Sequence, residues 1–255
     1  MSLAHLLIRQ ARRQPHGDAI LHGERVHASH RQWAARSAGL AERLRAAGLQ
    51  PGERVLLFAH NHPRYLEVLW GLWWAGLVAV PVNAKLHPRE VEWIAAHCGA
   101  RWAFVTADVA DTPLAGVQQQ VDLDSPAADA LLAEAPDPFA VPVAERAPHD
   151  TAWLFYTSGT TGRPKGVMLT GRNLETMTAI TLMSYPFRGR PVYLALAPLT
   201  HAAGVLCFPM LCQGGEIVIM RRPEVATFIE LIARHGVTHT FLPPTLIYMV
   251  LAEPA

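Results

Sequence analysis

Apolar residues along the chain alternate between short unbroken runs and longer stretches at helical spacing. Ser29 is placed to cap a helix carrying Trp33, Leu40 and Leu44 on one face, with Gly48 to end it and Pro51-Gly52 to turn the chain. VLLFA at 55–59 is continuously apolar, as expected for a strand buried on both faces. Asn61 and Pro63 are read as opening the next helix and Gly76 as closing it. A strand is predicted at 78–82, a helix from His87-Pro88-Arg89-Glu90 to near Gly99, and a strand at 102–106.

Residues 107–150 depart from this pattern. They are rich in Ala, Asp and Pro with weak periodicity, and predict a variable connection with one helix, AADALLAEA, and room for a domain boundary. Alternation resumes with strands at 153–157, 192–197, 216–220 and 237–242. Thr170 and Pro223 mark helix starts and Gly236 a stop. Repeated strand–helix alternation predicts an α/β fold with largely parallel sheets flanked by helices. No repeat of fixed period is visible. The sequence stops twelve residues after Pro243 in a helical pattern with no closing strand, so the fold is expected to be incomplete.

Composition narrows the class. The 255 residues are 51% hydrophobic and 17% charged, a globular balance sufficient for one large domain or two small ones. A net charge of +1 gives no electrostatic footprint for nucleic acid. Cys98, Cys207 and Cys212 are too few for a disulfide framework or a zinc site, and are expected to be buried, reduced thiols of a cytoplasmic protein. The apolar segment 3–8 precedes Arg9, Arg12 and Arg13, the reverse of a secretory signal, and suits an amphipathic helix. The uncharged stretch VLWGLWWAGLVAVPV at 68–82 is shorter than the ~18 residues of a membrane helix and is interrupted by Gly76 and Pro81. It predicts a buried helix and strand, with no transmembrane segment; peripheral membrane contact stays open.

The segment richest in chemistry is YTSGTTGRPKG at 156–166, between the apolar runs WLFYT and VML. Gly159, Gly162 and Gly166 permit close approach of a ligand. Ser158, Thr160 and Thr161 offer hydroxyls, successive backbone N–H groups can form an anion-binding concavity, and Lys165 adds a charge suited to phosphate. It is not the P-loop of nucleotide triphosphatases, because Pro164 stands five residues after Gly159 and Gly166 follows Lys165. Composition alone leaves a polyphosphate-binding loop and an ordinary Gly/Thr hairpin both open.

YTSGTTGRPKGVMLT resembles the signature phosphate loop of the adenylate-forming superfamily, which includes acyl- and aryl-CoA synthetases, luciferases and peptide-synthetase adenylation domains. WAGLVAVPVN at 74–83, KLHPREVEWIAAHCGARWAFV at 85–105, LAPLTHAAG at 196–204 and VTHTFLPPTLIYMVL at 237–251 resemble further segments of that family in the same order. VPVN and Pro-Leu-Thr-His lean toward the CoA ligases. The resemblance implies a fold, that of the N-terminal part of the large domain, and a two-step reaction. A carboxylate attacks the α-phosphate of ATP to give an acyl-adenylate and pyrophosphate; the CoA thiol then attacks the acyl carbon and AMP leaves. It implies that Thr157, Ser158, Gly159, Thr160, Thr161, Gly162 and Lys165 hold the β- and γ-phosphates with Mg²⁺, Thr157 contributing to the metal. It also implies that His201 and Lys165 are catalytic, His201 lying beside the acyl and α-phosphate sites. A structural helix-start histidine is the competing reading for His201, one of 13 histidines. Trp70, Trp73 and Trp74 are expected in the core.

The family's downstream motifs do not occur in the sequence: a Tyr-Gly-x-Thr-Glu element, a ribose-binding aspartate and a lid domain with a catalytic lysine. Residues 1–255 are therefore expected to form an incomplete AMP-binding domain, inactive alone, that would use ATP, Mg²⁺, CoA and a carboxylic acid once completed. A non-catalytic module that binds a phosphate-containing ligand or a partner chain is the alternative, and a scaffold fragment with no ligand a third.

Overall fold

The fold is known from a computed structural model that describes residues 2–157 and 164–252. Its first sheet contains β3 (Arg54–Phe58), β4 (Val78–Val82), β5 (Trp102–Val105), β6 (Gln119–Asp122), β7 (Thr151–Thr157) and β8 (Lys165–Thr170), in the order β6-β5-β3-β4-β7-β8. The second contains β1 (Asp18–His22), β2 (Arg25–Ser29), β9 (Val192–Ala195), β10 (Glu216–Ile219) and β11 (His239–Thr240), in the order β11-β9-β10-β1-β2. Adjacent strands run parallel except in the two hairpins, β1–β2 and β7–β8.

Side-chain alternation along these strands builds a five-layer stack. Val55, Leu57, Ala79 and Phe104 of the first sheet, and Ile20, Tyr193, Ala195 and Ile217 of the second, face one shared core. That core holds α1 (Ala4–Arg13), α2 (His30–Ala46), α3 (Pro63–Trp74) and α8 (Cys207–Cys212) between the sheets. The opposite face of the first sheet, with Leu56, Phe58, Val80 and Val82, packs on α4 (Pro88–Cys98). The opposite face of the second, with Leu21, Leu194 and Val218, packs on α9 (Val225–His235). A strand covered on both faces needs no polar positions, which is why VLLFA is apolar throughout.

Most helix punctuation follows the sequence. Ser29 caps α2 with the reciprocal Gln32 bond of a capping box, His87 and Glu90 do the same for α4, and Thr170 and Asn173 for α6 (Gly171–Ser184). Gly99 and Gly236 end α4 and α9 in the left-handed conformation. Trp70, Trp73 and Trp74 lie buried in the central layer. Trp73 donates to the Ala152 carbonyl and Trp74 to that of Val141.

Several elements differ from expectation. The β1–β2 hairpin and β6 carry no apolar run long enough to reveal them; β2 and β6 are edge strands, and β1 lies between β2 and β10. The expected strand at 237–242 contributes only His239–Thr240. The helix expected at AADALLAEA is α5 (Pro126–Leu131), capped by Ser125. Residues 133–144 then cross α2 and α3 without a regular element, turning at 138–140: Arg43 donates to the Ala133 carbonyl, the Ala135 N–H to that of Ala35, and the Ala144 N–H to that of Trp74. Cys98 and Cys207 are buried, whereas Cys212 is only half-buried; all three thiols are unpaired, and burial raises the pKa of each. No described helix is long and apolar enough to cross a membrane.

Burial of His30, the first residue of α2, makes a prediction. Its Nδ1 bonds the Gly17 carbonyl at 3.0 Å while Nε2 is buried without a partner among the described residues. Burial, the dominant cause, lowers its pKa from 6.5 to about 4. The unfolded chain therefore takes up a proton that the folded chain refuses. The stabilisation is complete above pH ~6.5 and is lost as pH falls toward ~4, at up to about 1.4 kcal/mol per pH unit. Urea unfolding at pH 7 and pH 5 should show this slope, and His30→Gln should flatten it. Burial lowers the pKa of His22 and His62 in the same direction, so the slope should not vanish entirely.

Candidate functional site

The chemistry-bearing residues gather where the parallel strands of both sheets end, as ligand sites do in open α/β sheets. His60 and Asn61 follow β3, Asn83 and Lys85 follow β4, Pro198 and His201 follow β9, Arg221 and Arg222 follow β10, and Pro243 follows β11. Two adjoining clefts open there and share Asn83, Lys85, Pro198 and Pro243. The first, of about 600 Å³, is largely apolar: Trp153, Phe155 and Leu169 come from the β7–β8 hairpin, Ala202 and Val205 from α7 (Ala202–Val205), and Phe241 from the end of β11. The second, of about 670 Å³, carries His60, Lys85, Arg221 and Arg222. Asp108 offsets part of that charge, lying 3.4 Å from Arg221, 3.6 Å from Arg222 and 3.7 Å from His60.

His201 stands on the wall of the apolar cleft, immediately before α7. Its ring meets Phe155 edge-on, with centroids 5.0 Å apart at 90°. The Thr200 hydroxyl lies 2.7 Å from Nδ1. Burial lowers the pKa of the imidazole, which favours its neutral form at pH 7. When Thr200 donates to Nδ1, the ring proton resides on Nε2 and makes that atom a hydrogen-bond donor.

The glycine-rich segment lies across the β7–β8 turn. Strand register pairs Thr157 with Lys165, Phe155 with Val167 and Trp153 with Leu169. Alternation puts these three pairs on one face of the hairpin, the face that supplies Trp153, Phe155 and Leu169 to the cleft. Thr157 and Lys165 are thus at the turn end of the cleft-forming face. Lys165 is not a loop residue, as the sequence suggested, but the first residue of β8, and it is exposed. Neither Thr157 nor Lys165 is among the described residues that line the two clefts. Ser158, Gly159, Thr160, Thr161 and Gly162 lie outside the described residues. On the opposite face, Tyr156 bonds His97 Nδ1 through its hydroxyl at 2.7 Å, and burial pushes its pKa up to about 12.

Two residues at the site went unread in the sequence. Lys85 places a cation on the boundary between the clefts. Asn61, assigned as a helix opener, leaves that role to His62, whose Nδ1 accepts from the Arg64 N–H. The Asn61 side chain instead crosses to the loop after β9. Nothing in the local pattern signals either role, because both depend on a second sheet. No group of three or more His, Cys, Asp or Glu is placed to hold a metal ion among the described residues.

Comparison with known proteins gives a consistent picture. The profile of the family described as AMP-binding enzyme matches residues 7–255. A feruloyl-CoA synthase from Amycolatopsis sp is 36% identical over 97% of this chain and 50% of its own length. A sulfoacetate–CoA ligase from Cupriavidus necator is 32% identical over 99% of this chain and 52% of its own. The chain thus spans about half the length of the curated relatives it matches. The inhibitor-bound N-terminal domain of FACL13 from Mycobacterium tuberculosis superposes with a TM-score of 0.89 at 26% identity, covering 99% of this chain and 65% of that one.

Proposed function

The chain belongs to the AMP-binding enzyme family, and from that premise we propose that the full-length protein is an ATP-dependent acid–CoA ligase. The observation that carries this reading is His201 on the wall of an apolar cleft whose hairpin wall continues to Thr157 and Lys165. The cleft's Trp153, Phe155 and Phe241 suit a carboxylic acid with an aromatic or alkyl body. In the first step the acid's carboxylate attacks the α-phosphate of ATP, forming the acyl-adenylate and releasing pyrophosphate. In the second, the thiol of CoA attacks the acyl carbon and AMP leaves.

Bringing carboxylate and triphosphate together sets two anions against each other, so charge neutralisation and positioning dominate the barrier. His201, neutral at pH 7, donates from Nε2 to the carboxylate or the α-phosphate without a change in charge. Lys165, Thr157 and the segment Ser158, Gly159, Thr160, Thr161 and Gly162 hold the β- and γ-phosphates. A single hydroxyl ligand such as that of Thr157, with phosphate oxygens, fits Mg²⁺, which is commonly bound through few protein groups plus substrate phosphates. Bound there, Mg²⁺ would neutralise phosphate charge. Residues 1–255 make up the N-terminal part of the AMP-binding domain, with 107–150 as its variable connection. The family's adenine, ribose and lid-lysine contacts are not assigned to any of these residues. The protein works in the cytoplasm.

Acid-dependent ATP–pyrophosphate exchange by the full-length protein, assayed with ferulate and octanoate as probe acids, tests the reading. Exchange that requires the acid is expected. Nucleotide binding with no exchange would transfer the assignment to a non-catalytic nucleotide-binding module. Lys165→Ala should weaken ATP binding roughly tenfold or more, the consequence of losing a charge-assisted phosphate contact, with an unchanged circular dichroism spectrum. Unaltered ATP binding in that variant removes Lys165 from the phosphate site.

A further inference from the structure

We propose that Asn61 is the positioning residue that holds His201 at the cleft wall, its side-chain amide standing in for the N–H and C=O of a parallel-strand residue beyond the end of β9. The inference rests on the ligase reading above. Asn61 follows β3 in the first sheet and is 6% exposed. Its side-chain amide reaches across to the second sheet. Oδ1 accepts from the Leu199 N–H at 2.8 Å, and Nδ2 donates to the Ala197 carbonyl at 3.0 Å and to the Ala195 carbonyl at 3.4 Å. A residue of a neighbouring parallel strand makes this pair of bonds with its own N–H and C=O, donating to the residue before the position it faces and accepting from the residue after it. The residue between is Pro198, which has no N–H of its own to pair.

His201 is tied to this clamp by short local links. The His201 N–H donates to the Pro198 carbonyl at 3.1 Å, and the Gly204 N–H donates to the His201 carbonyl at 3.0 Å. The Thr200 hydroxyl, on a residue 2% exposed, fixes the ring through Nδ1. Asn61 therefore sets where a residue of the second sheet stands relative to Asn83 and Lys85, which extend from the first. Without its amide, the Leu199 N–H and the Ala197 carbonyl lose their partner at a buried site, and the loop must move to find others.

The test is a double-mutant cycle in the full-length protein, read as acid-dependent ATP–pyrophosphate exchange with whichever probe acid the unmodified enzyme accepts. Asn61→Ala removes the amide; Asn61→Asp keeps its size but turns an oxygen toward the Ala197 carbonyl, and serves if the alanine variant does not fold. Each should lower kcat of exchange roughly a hundredfold, the scale of a 1 Å misplacement. The KM for ATP should stay within about twofold of the unmodified value. In a His201→Ala background the same substitutions should cost less than about twofold more, because the residue they position is gone. Equal fold-losses in both backgrounds, or unaltered exchange, would overturn the positioning role while leaving the ligase reading intact. An unmodified protein with no exchange for any acid overturns the ligase reading instead. The clamp itself is read separately by amide hydrogen exchange at Leu199, expected to be protected in the unmodified protein and unprotected in Asn61→Ala; an unprotected amide in the unmodified protein overturns it.

Discussion

Gly204→Ala should cost the full-length protein roughly a hundredfold in acid-dependent exchange and about 1–3 kcal/mol of stability. A Cβ at Gly204 would lie 2.0 Å from the Leu199 carbonyl oxygen and 3.3 Å from the Trp153 ring. The first obstacle is backbone and cannot rotate away. To accept a methyl group, α7 must separate from the loop that carries Leu199, Thr200 and His201. The constraint is space, since Gly204 is not among the glycines with positive φ. Gly171→Ala is the control: its Cβ would meet only the Pro148 carbonyl at 3.8 Å, and it begins a helix in which alanine is favoured. A fully active, fully stable Gly204→Ala variant would mean that the packing of α7 on its loop does not fix His201.

Arg36→Met should destabilise the chain by up to about 3–5 kcal/mol in urea unfolding, the cost of removing the permanent cation from a buried carboxylate and leaving it to His27 alone. Glu67 of α3 is fully buried in the central layer. Its Oε1 receives Arg36 Nη1 at 2.8 Å and His27 Nε2 at 2.9 Å, and its Oε2 is buried with no partner among the described residues. Replacing both charges together, Arg36→Met with Glu67→Met, should recover most of the loss, because two apolar side chains in that space demand no compensation. Arg36 also contacts Glu134 at 3.3 Å, but that carboxylate side chain is 46% exposed, so Glu134→Gln should cost less than about 1 kcal/mol. A single Arg36 substitution that costs no more than the Glu134 one would show that water reaches Glu67.

The elements legible in the sequence are those whose cause is local. Ser29, His87 and Thr170 cap helices through bonds to residues two or three positions on, and Gly99 and Gly236 end helices because they accept positive φ. VLLFA and VAVPV announce themselves because burial on both faces removes every polar position. β2 and β6 escaped notice for the opposite reason, since edge strands keep polar side chains, and β1, though flanked on both sides, has an apolar run of only Ala19, Ile20 and Leu21. Likewise 237–242 is apolar enough for a full strand, yet only two of its residues pair with β9.

The sequence by itself determined the family, the alternation of strands and helices and the identity of His201 and Lys165 as candidates, because motif chemistry and periodicity are properties of neighbouring residues. Only the tertiary structure decided that Lys165 opens a strand paired with Thr157, and that Gly204 must have no side chain. It alone brought Lys85 to the boundary of two clefts and tied Asn61 to a loop 138 residues away in the chain. Each of these depends on how two sheets and the helices between them close on one another, and a linear pattern carries no record of that distance.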